Sequence, residues 1–179
     1  MGLVAFAFCG TAAAQPSPGD SIVPIGMTVA DDPTLAGVIE KDESRKIFCT
    51  GLYGTLQTRV VRSTITGNVD FYFRVTNAAP SSGPIVAVYV SDFTNAAWNA
   101  RSDYRVDGVG TVPPTRINRS SSPGDTFSFH FLSWPLAPGE SSRQIYVQSL
   151  AKNYDRSGYA LIVSDRASCL VYNVFRPVP

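Results

Sequence analysis

The sequence is poor in the residues that most often carry catalysis and metal binding. It contains one histidine, His130, and three cysteines among 179 residues. Those numbers are too low for the paired cysteine and histidine spacings of structural zinc sites. The sequence also lacks the motifs G-x-S-x-G and H-E-x-x-H and a phosphate-binding glycine loop. We therefore expect no metal, no cofactor and no catalytic residues, and predict that the protein is not an enzyme.

Charge of either sign is also scarce. The 15 lysines and arginines nearly balance the 14 aspartates and glutamates, which gives a net charge of +1. This balance provides no electrostatic basis for binding nucleic acid. The apolar run near the N-terminus is shorter than the roughly 18 residues that a membrane-spanning helix needs. We expect neither a nucleic-acid partner nor a transmembrane segment in the mature chain.

Residues 1–14, MGLVAFAFCGTAAA, have the pattern of a secretory signal peptide. An apolar run precedes three alanines that fit the small-x-small cleavage rule, so we predict cleavage after Ala14 and a mature chain that starts at Gln15. No lysine or arginine precedes the run, and a buried N-terminal strand is one alternative. A lipoprotein acylated at Cys9 is another, but the bulky residue before Cys9 disfavours it. The predicted organisation is a signal peptide followed by one domain, residues 15–179, that is secreted or held at the cell surface.

Export would leave two cysteines, Cys49 and Cys169, in the mature chain. Each lies beside a strand-like segment, and the two are at opposite ends of the domain sequence. In an oxidising compartment two thiols most simply form one bridge, so we predict a disulfide between them. Two separate buried thiols are the alternative.

Alternation of apolar and polar residues is the strongest signal in the sequence. Residues 53–77 form two limbs with a period of two, joined by a turn that contains Gly67 and Asn68. This pattern predicts an antiparallel hairpin with one buried face. Further short strands are predicted over residues 21–30, 45–50, 84–93, 115–119, 125–134, 143–150, 159–164 and 168–175. Together they indicate an all-β fold, a single antiparallel β-sandwich that is immunoglobulin-like or jelly-roll-like, with little helix.

The same alternation predicts the core and the irregular segments. The expected core residues are Phe71, Phe73, Val75, Phe127, Phe129, Phe131, Ile145, Val147 and Leu161. Residues 31–44 include the only stretch compatible with a short helical turn. Residues 94–114 show no clear periodicity, so we predict a long loop, and loops of that length are usually functional or mobile. If the protein binds a ligand, we expect the site to include this loop.

Aromatic residues at or near predicted loops are the candidate ligand-binding residues: Trp98, Tyr104, Trp134 and Tyr154. Exposed rings at such positions would stack on the faces of sugars. The alternative is that the rings fold inward and close the ends of the sandwich.

Polar candidates are few. A secreted hydrolase would have to use His130, or a carboxylate pair such as Asp103 and Asp107. His130 lies between two phenylalanines of an alternating strand, which predicts an outward and solvated imidazole. The clustered carboxylates match no known calcium-binding loop, and we interpret them as unliganded surface groups: Asp31, Asp32, Asp42 and Glu43.

Three segments carry a family resemblance. Residues 54–77, GTLQTRVVRSTITGNVDFYFRVTN, are similar to a segment of bacterial exported proteins with a C-terminal PEP-CTERM sorting signal. INRSSSPGDTFSFHF and LAPGESSRQIYVQSLAKNYDRSG, at residues 117–131 and 136–158, resemble further turns and strands of those proteins. The resemblance implies a secreted, all-β protein of unassigned activity, associated with the cell surface or extracellular polymer. The sequence ends at FRPVP without the sorting signal, so the resemblance covers the exported domain, and it supplies no catalytic residues.

These observations lead to three functional hypotheses from different classes. The leading one is a secreted, non-enzymatic protein of the cell surface or extracellular matrix, with extracellular polysaccharide or other surface proteins as partners. The second is a carbohydrate-binding module that uses the loop aromatics. The third is a secreted hydrolase.

Overall fold

The computed structural model describes residues 13–93 and 100–179, and their regular structure is almost entirely β-strand. The strands are Ser21–Ile22 (β1), Gly37–Cys49 (β2), Leu52–Ser63 (β3), Val69–Asn77 (β4), Ile85–Val90 (β5), Arg101–Arg105 (β6), Arg116–Arg119 (β7), Phe127–His130 (β8), Gln144–Gln148 (β9), Asn153–Ser164 (β10) and Ser168–Val178 (β11). A six-stranded sheet has the order β1-β7-β8-β5-β10-β11, and a five-stranded sheet has the order β2-β3-β4-β9-β6. The two antiparallel sheets pack together, which confirms the predicted β-sandwich.

The predicted hairpin is formed by β3 and β4. Their register pairs Val60 with Phe71 and Leu56 with Val75, so the buried positions of the two limbs lie side by side. Gly67 in the connecting turn has a φ of +68°, which a glycine adopts without the cost of a side chain. The hairpin forms the middle of the five-stranded sheet, because β2 pairs with its first strand and β9 with its second.

The main core lies between the sheets and is rich in phenylalanine. Phe93 packs edge-on against Phe71 of one sheet and Phe127 of the other, with ring centroids 5.5 and 5.7 Å apart. Eight of the nine predicted core residues are buried there: Phe71, Phe73, Val75, Phe127, Phe129, Phe131, Ile145 and Val147. The ninth prediction, Leu161, is wrong by one position, because Leu161 is half-buried on the outer face of β10 while Ile162 points into the core.

One side of the sandwich is closed by the disulfide. Cys49 ends β2, which is an edge strand of the five-stranded sheet, and Cys169 lies in β11, which is an edge strand of the six-stranded sheet. Their sulfurs are bonded, with Cα atoms 5.7 Å apart and a sequence separation of 120. The predicted Cys49–Cys169 disulfide is confirmed, and it joins the edges of the two sheets directly.

The opposite side is closed by residues 13–36, which we call the N-terminal segment. β1 pairs with β7 at the edge of the six-stranded sheet, and Met27 then bridges to Arg105 of β6 at the edge of the five-stranded sheet. Ala14 also accepts a hydrogen bond from the backbone N–H of Ser102 in β6, at 3.1 Å. The segment therefore passes from one sheet to the other and reaches the outer face of the five-stranded sheet.

On that outer face the N-terminal segment builds a second, smaller core. Ala13, Met27 and Leu35 bury their side chains against three outward residues of the sheet: Val61, Tyr72 and Tyr146. The rings of Tyr72 and Tyr146 lie 5.5 Å apart. The part of the sheet face around Tyr72 and Tyr146, which would otherwise contact water, is thus covered by the chain's own N-terminal residues.

Two predictions about irregular segments need correction. The helical turn expected within residues 31–44 is a single 3₁₀ turn at Pro33–Leu35, and residues 37–44 belong to the long strand β2. The loop expected over residues 94–114 contains the strand β6, Arg101–Arg105, paired along its length with β9. Both strands lie at sheet edges, where polar residues on either face are tolerated and hide the period of two.

Candidate functional site

Trp134 lies in the connection between β8 and β9, and 67% of its surface is exposed. The connection is firmly held next to it, since Leu136 is buried, bridges to Ile85 and accepts a 2.8 Å hydrogen bond from Asn77 Nδ2. A cavity of about 520 Å³ opens beside the indole, lined also by Thr111, Val112, Pro113, Ser133, Pro135, Ala137 and Glu140. We call this cavity the Trp134 groove. It presents an aromatic ring and a carboxylate on one open surface.

Two of the other predicted aromatics, Tyr104 and Tyr154, do not line this groove, and Trp98 lies outside the described residues. Tyr104 lies in β6, half-buried against the core, and Tyr154 lies in β10 with its ring 5.8 Å from Phe175. Tyr104 and Tyr154 therefore follow the predicted alternative in which the rings fold inward, whereas the ring of Trp134 is exposed.

The carboxylates considered for hydrolysis are each held by a different structural partner. Asp103 is 1% exposed and accepts hydrogen bonds from the backbone N–H groups of Gly26, Tyr104 and Ile25, at 2.9, 2.8 and 3.3 Å. Burial raises the pKa of Asp103, and these hydrogen bonds oppose that rise. Asp107 forms a bidentate ion pair with Arg105, which lowers the pKa of Asp107. Asp103 thereby anchors the N-terminal segment to β6.

His130 points outward from β8, as predicted, but it is half-buried. Its Nε2 lies 2.9 Å from Ser128 Oγ and 3.1 Å from Asn118 Nδ2, and its ring lies 5.7 Å from the ring of Tyr89. Burial lowers the pKa of His130, and the charge of Arg116 lowers it further. The Ser–His contact was not foreseen from the sequence; two residues at i and i+2 of one strand share a face, which is the signal that could have indicated it.

The carboxylates considered for calcium are dispersed and engaged. Asp31 accepts from Thr28, Asp32 caps the 3₁₀ turn, Asp42 pairs with Arg59, and Glu43 pairs with Arg45. Within residues 13–93 and 100–179, no group of three or more histidine, cysteine, aspartate or glutamate side chains is arranged to hold a metal ion.

A polar row on the five-stranded sheet was missed by the sequence analysis. Asp70 of β4 is 2% exposed and lies beside Gln148 of β9, which in turn lies beside Arg101 of β6. We call these three residues the Asp70 row. Burial raises the pKa of Asp70 to about 7, and the charge of Asp32 adds to the rise, while hydrogen bonds from Gln148 and the Ser149 backbone oppose it. The sequence contains no signal for this burial, because a carboxylate between two apolar strand residues, Val69 and Phe71, has the pattern of a solvated position.

Comparison with known proteins assigns neither a family nor a function to this chain. No family model matches the chain, and no curated protein and no solved structure is significantly similar to it. In the part of the chain that the structure describes, no helix has the length and apolar character required to cross a membrane.

Proposed function

We propose that this chain is an exported, non-enzymatic protein of the bacterial cell surface or extracellular matrix, which acts by binding. The observation that carries the proposal is the Cys49–Cys169 disulfide, because such bonds form and persist in oxidising compartments outside the cytoplasm. The alanine-rich end of residues 1–14 and the resemblance to PEP-CTERM exported proteins support the same compartment. Asp103 and Asp107 hold structural partners, which supports a binding role over hydrolysis.

Export is tested by expressing the full chain in a Gram-negative host and fractionating the cells. We expect the protein in the periplasm or medium, an N-terminus at Gln15 by sequencing, and no thiol that reacts with Ellman's reagent before reduction. The matched control replaces Phe6 with Asp, which interrupts the apolar run and should hold the precursor in the cytoplasm. Uncleaved protein in the cytoplasm with free Cys49 and Cys169 would contradict the proposal.

A second candidate function, carbohydrate binding, is favoured by the Trp134 groove. Trp134 has 67% of its surface exposed, and its flat aromatic face can stack on the apolar face of a sugar ring. The adjacent Glu140 would accept hydrogen bonds from sugar hydroxyls, with one of its oxygens already held by the Ala137 N–H at 2.8 Å.

This candidate is tested by pull-down on insoluble cellulose and chitin and by binding to the host's own extracellular polysaccharide. Trp134→Ala should abolish retention on the polysaccharide that binds. Phe48→Ala is the matched control, because Phe48 is also a highly exposed aromatic, 80% exposed near the end of β2, and does not line the groove. Equal losses from both substitutions would mean nonspecific hydrophobic adsorption and would exclude the groove as a sugar site.

A further inference from the structure

The Asp70 row lies at the end of β4 opposite the Trp134 groove. Its members come from three adjacent strands, because Gln148 is in register with Asp70 on one side and with Arg101 on the other. All three side chains leave the sheet on its outer face. Phe71, next to Asp70, and Val147, next to Gln148, point into the main core, and Arg101 is in register with Gln148. The row thus presents a carboxylate, an amide and a guanidinium along one line.

A cavity of about 440 Å³ lies over this row. Its remaining lining comes from the N-terminal segment, the β3–β4 turn and the end of β9: Gln15, Thr34, Thr66, Asn68, Ser149 and Leu150. Cavities of several hundred Å³ with a few convergent polar groups are the usual form of a small-ligand site. Arg101 has 39% of its side chain exposed, so the cavity is open to solvent at that end.

One acceptor in the cavity has no donor within the described chain. Gln148 is 8% exposed, and its Nε2 donates to Thr34 Oγ1 at 3.0 Å and to Asp70 Oδ2 at 3.4 Å. Its Oε1 is buried and has no hydrogen-bond partner among residues 13–93 and 100–179. A buried acceptor without a donor is unfavourable, and such groups in folded proteins usually have a partner.

Attachment of the 3₁₀ turn explains part of this cluster. Asp32 accepts from the backbone and side chain of Thr34 and lies 3.4 Å from Arg101, while Thr34 accepts from Gln148. These contacts hold the N-terminal segment against the sheet. They leave two features without a structural reason, namely the orphan Oε1 of Gln148 and a carboxylate at Asp70 that is buried without a cation in contact.

We propose that this cavity binds a neutral sugar residue, which presents adjacent hydroxyl groups to the Asp70 row. A hydroxyl group both donates and accepts. One hydroxyl donates to the Asp70 carboxylate, and Arg101 donates to an oxygen of the same ring. The neighbouring hydroxyl donates to Gln148 Oε1 after the Gln148 amide, which is buried in the unliganded arrangement, turns toward the cavity. Leu150, which is 54% exposed at the cavity wall, covers part of the apolar face of the ring.

The charges in the cavity favour a neutral ligand over an ion. Asp70 and Asp32 oppose an anion, and the guanidinium of Arg101 opposes a metal cation. The inference rests on the proposed binding role of the protein and adds a second site to it. It does not depend on the Trp134 groove, which lies at the other end of β4.

The test is a titration of the ¹⁵N-labelled full chain, after export, with methyl glycosides of glucose, mannose, galactose and rhamnose. We expect at least one of them to shift the backbone amide signals of Asn68, Ser149 and Leu150. Asp70→Asn and Gln148→Met should each weaken that binding by about tenfold or more, because each removes an acceptor from a polar ligand. Phe48→Ala is the matched control, because Phe48 is an exposed aromatic that lines neither this cavity nor the Trp134 groove, and it should change the binding by less than about twofold.

Any of the following outcomes would overturn the inference that the cavity binds a sugar. If none of the four glycosides shifts these amides, or if a folded Asp70→Asn variant binds equally well, the cavity is not a sugar site. Shifts caused by calcium chloride instead of glycosides would contradict the neutral ligand. Shifts confined to residues 131–143 and lost in Trp134→Ala would contradict a sugar site at the Asp70 row and would support the Trp134 groove. Correct export with no glycoside binding would contradict the sugar site and leave the proposed surface role intact.

Discussion

The outer faces of the two sheets have the same kind of residue in very different surroundings. Tyr146 of β9 and Tyr172 of β11 both point away from the main core, because their neighbours Val147 and Val171 point into it. Tyr146 is fully buried under the N-terminal segment, whereas 63% of Tyr172 is exposed to solvent. The N-terminal segment therefore covers the part of the outer face around Tyr72 and Tyr146, whereas the outer face near Phe48 of β2 and the outer face of β11 contact solvent. Strand alternation tells which way a side chain points, and a segment elsewhere in the chain decides whether it meets water.

The largest difference between the faces should come from removing the two tyrosine rings. Tyr146→Ala leaves a cavity between the sheet and the N-terminal segment, so we expect the free energy of unfolding to fall by about 3–5 kcal/mol. Tyr172→Ala should change the free energy of unfolding by no more than about 0.5 kcal/mol, because the ring of Tyr172 is largely exposed to solvent. Urea unfolding followed by tryptophan fluorescence measures both. Similar losses from the two variants would show that the second core adds nothing to stability.

The next largest effect depends on pH and concerns Asp70 on the covered face. Folding raises its pKa from 3.8 to about 7, so the folded state holds this proton more tightly than the unfolded state. That stabilising contribution is complete below pH 3.8 and is lost as the pH rises to about 7. Asp70→Asn removes the titration, so its stability relative to the unaltered protein should increase between pH 4 and pH 8, by about 4 kcal/mol as an upper figure.

Thermal unfolding of both proteins at intervals from pH 4 to pH 8 makes this measurement. Arg101 lines the same cavity as Asp70, and the charge of Asp32 contributes to the raised pKa of Asp70. Both residues are unchanged in the two proteins, so their influence cancels in the difference. A difference that is constant with pH would mean that Asp70 is hydrated, and that the N-terminal segment does not cover it in solution.

A smaller effect should follow from weakening the anchor of the N-terminal segment. Gly26 has a φ of +77°, and a Cβ at this position would lie 2.7 Å from the ring of Tyr104 and 2.6 Å from Val106. Gly26→Ala should therefore destabilise the fold by about 1–3 kcal/mol and loosen the contact between its N–H and Asp103. Hydrogen exchange at Met27 and Val106 should accelerate. Gly139→Ala is the control, since Gly139 also has a positive φ, +93°, but a Cβ added there would have no neighbouring atom within 4 Å.

The smallest effect should come from the hydroxyl group of Tyr146. Within the described chain its Oη is buried and has no hydrogen-bond partner, and burial strongly raises its pKa. Tyr146→Phe removes a polar atom without changing the ring, so stability should stay the same or rise by about 1 kcal/mol. A clear loss of stability in the same urea experiment would mean that a water molecule or a residue outside the described part of the chain satisfies this hydroxyl group.

The comparison also explains how much the sequence could predict. Phe71, Phe127 and Ile145 were placed in the core correctly, because the inward face of a central strand is apolar wherever the sandwich is closed. Leu161 was misplaced because β10 has apolar residues on both faces, and alternation then gives no direction. Cys49 and Cys169 were paired correctly because, with Cys9 assigned to a predicted signal peptide, the sequence offered no other pairing.

The candidate site was less predictable, for a physical reason. Asp70 and Tyr146 looked like solvated residues, since they occupy outward positions of strands. The burial of Tyr146 depends on Met27 and Leu35, which are far away in sequence. Asp70 lies beside Gln148, which is bonded to Thr34 of the same N-terminal segment. The strand β6 was missed because its outward side chains, such as Arg101 and Asp103, are charged and one of its inward positions is the small Ser102. The sequence left two alternatives for Trp134, an exposed ring or a ring folded inward. The structure shows that the ring is exposed.

The disulfide has a mechanical consequence for a protein attached to a surface or a polymer. Cys49 and Cys169 enclose every strand from β3 to β10, so a force that pulls the two chain ends apart is carried across the Sγ–Sγ bond. Such a force can peel off the outer strands, but it cannot extend the 120-residue loop, which would otherwise lengthen by about 400 Å at about 3.4 Å per residue. The Trp134 groove and the three residues of the Asp70 row lie inside that loop, whereas the N-terminal segment and the core residues Val174 and Phe175 lie outside it. Under tension the domain would therefore behave as a short, stiff link that keeps the Trp134 groove folded, while the N-terminal segment that covers the Asp70 row can be pulled away.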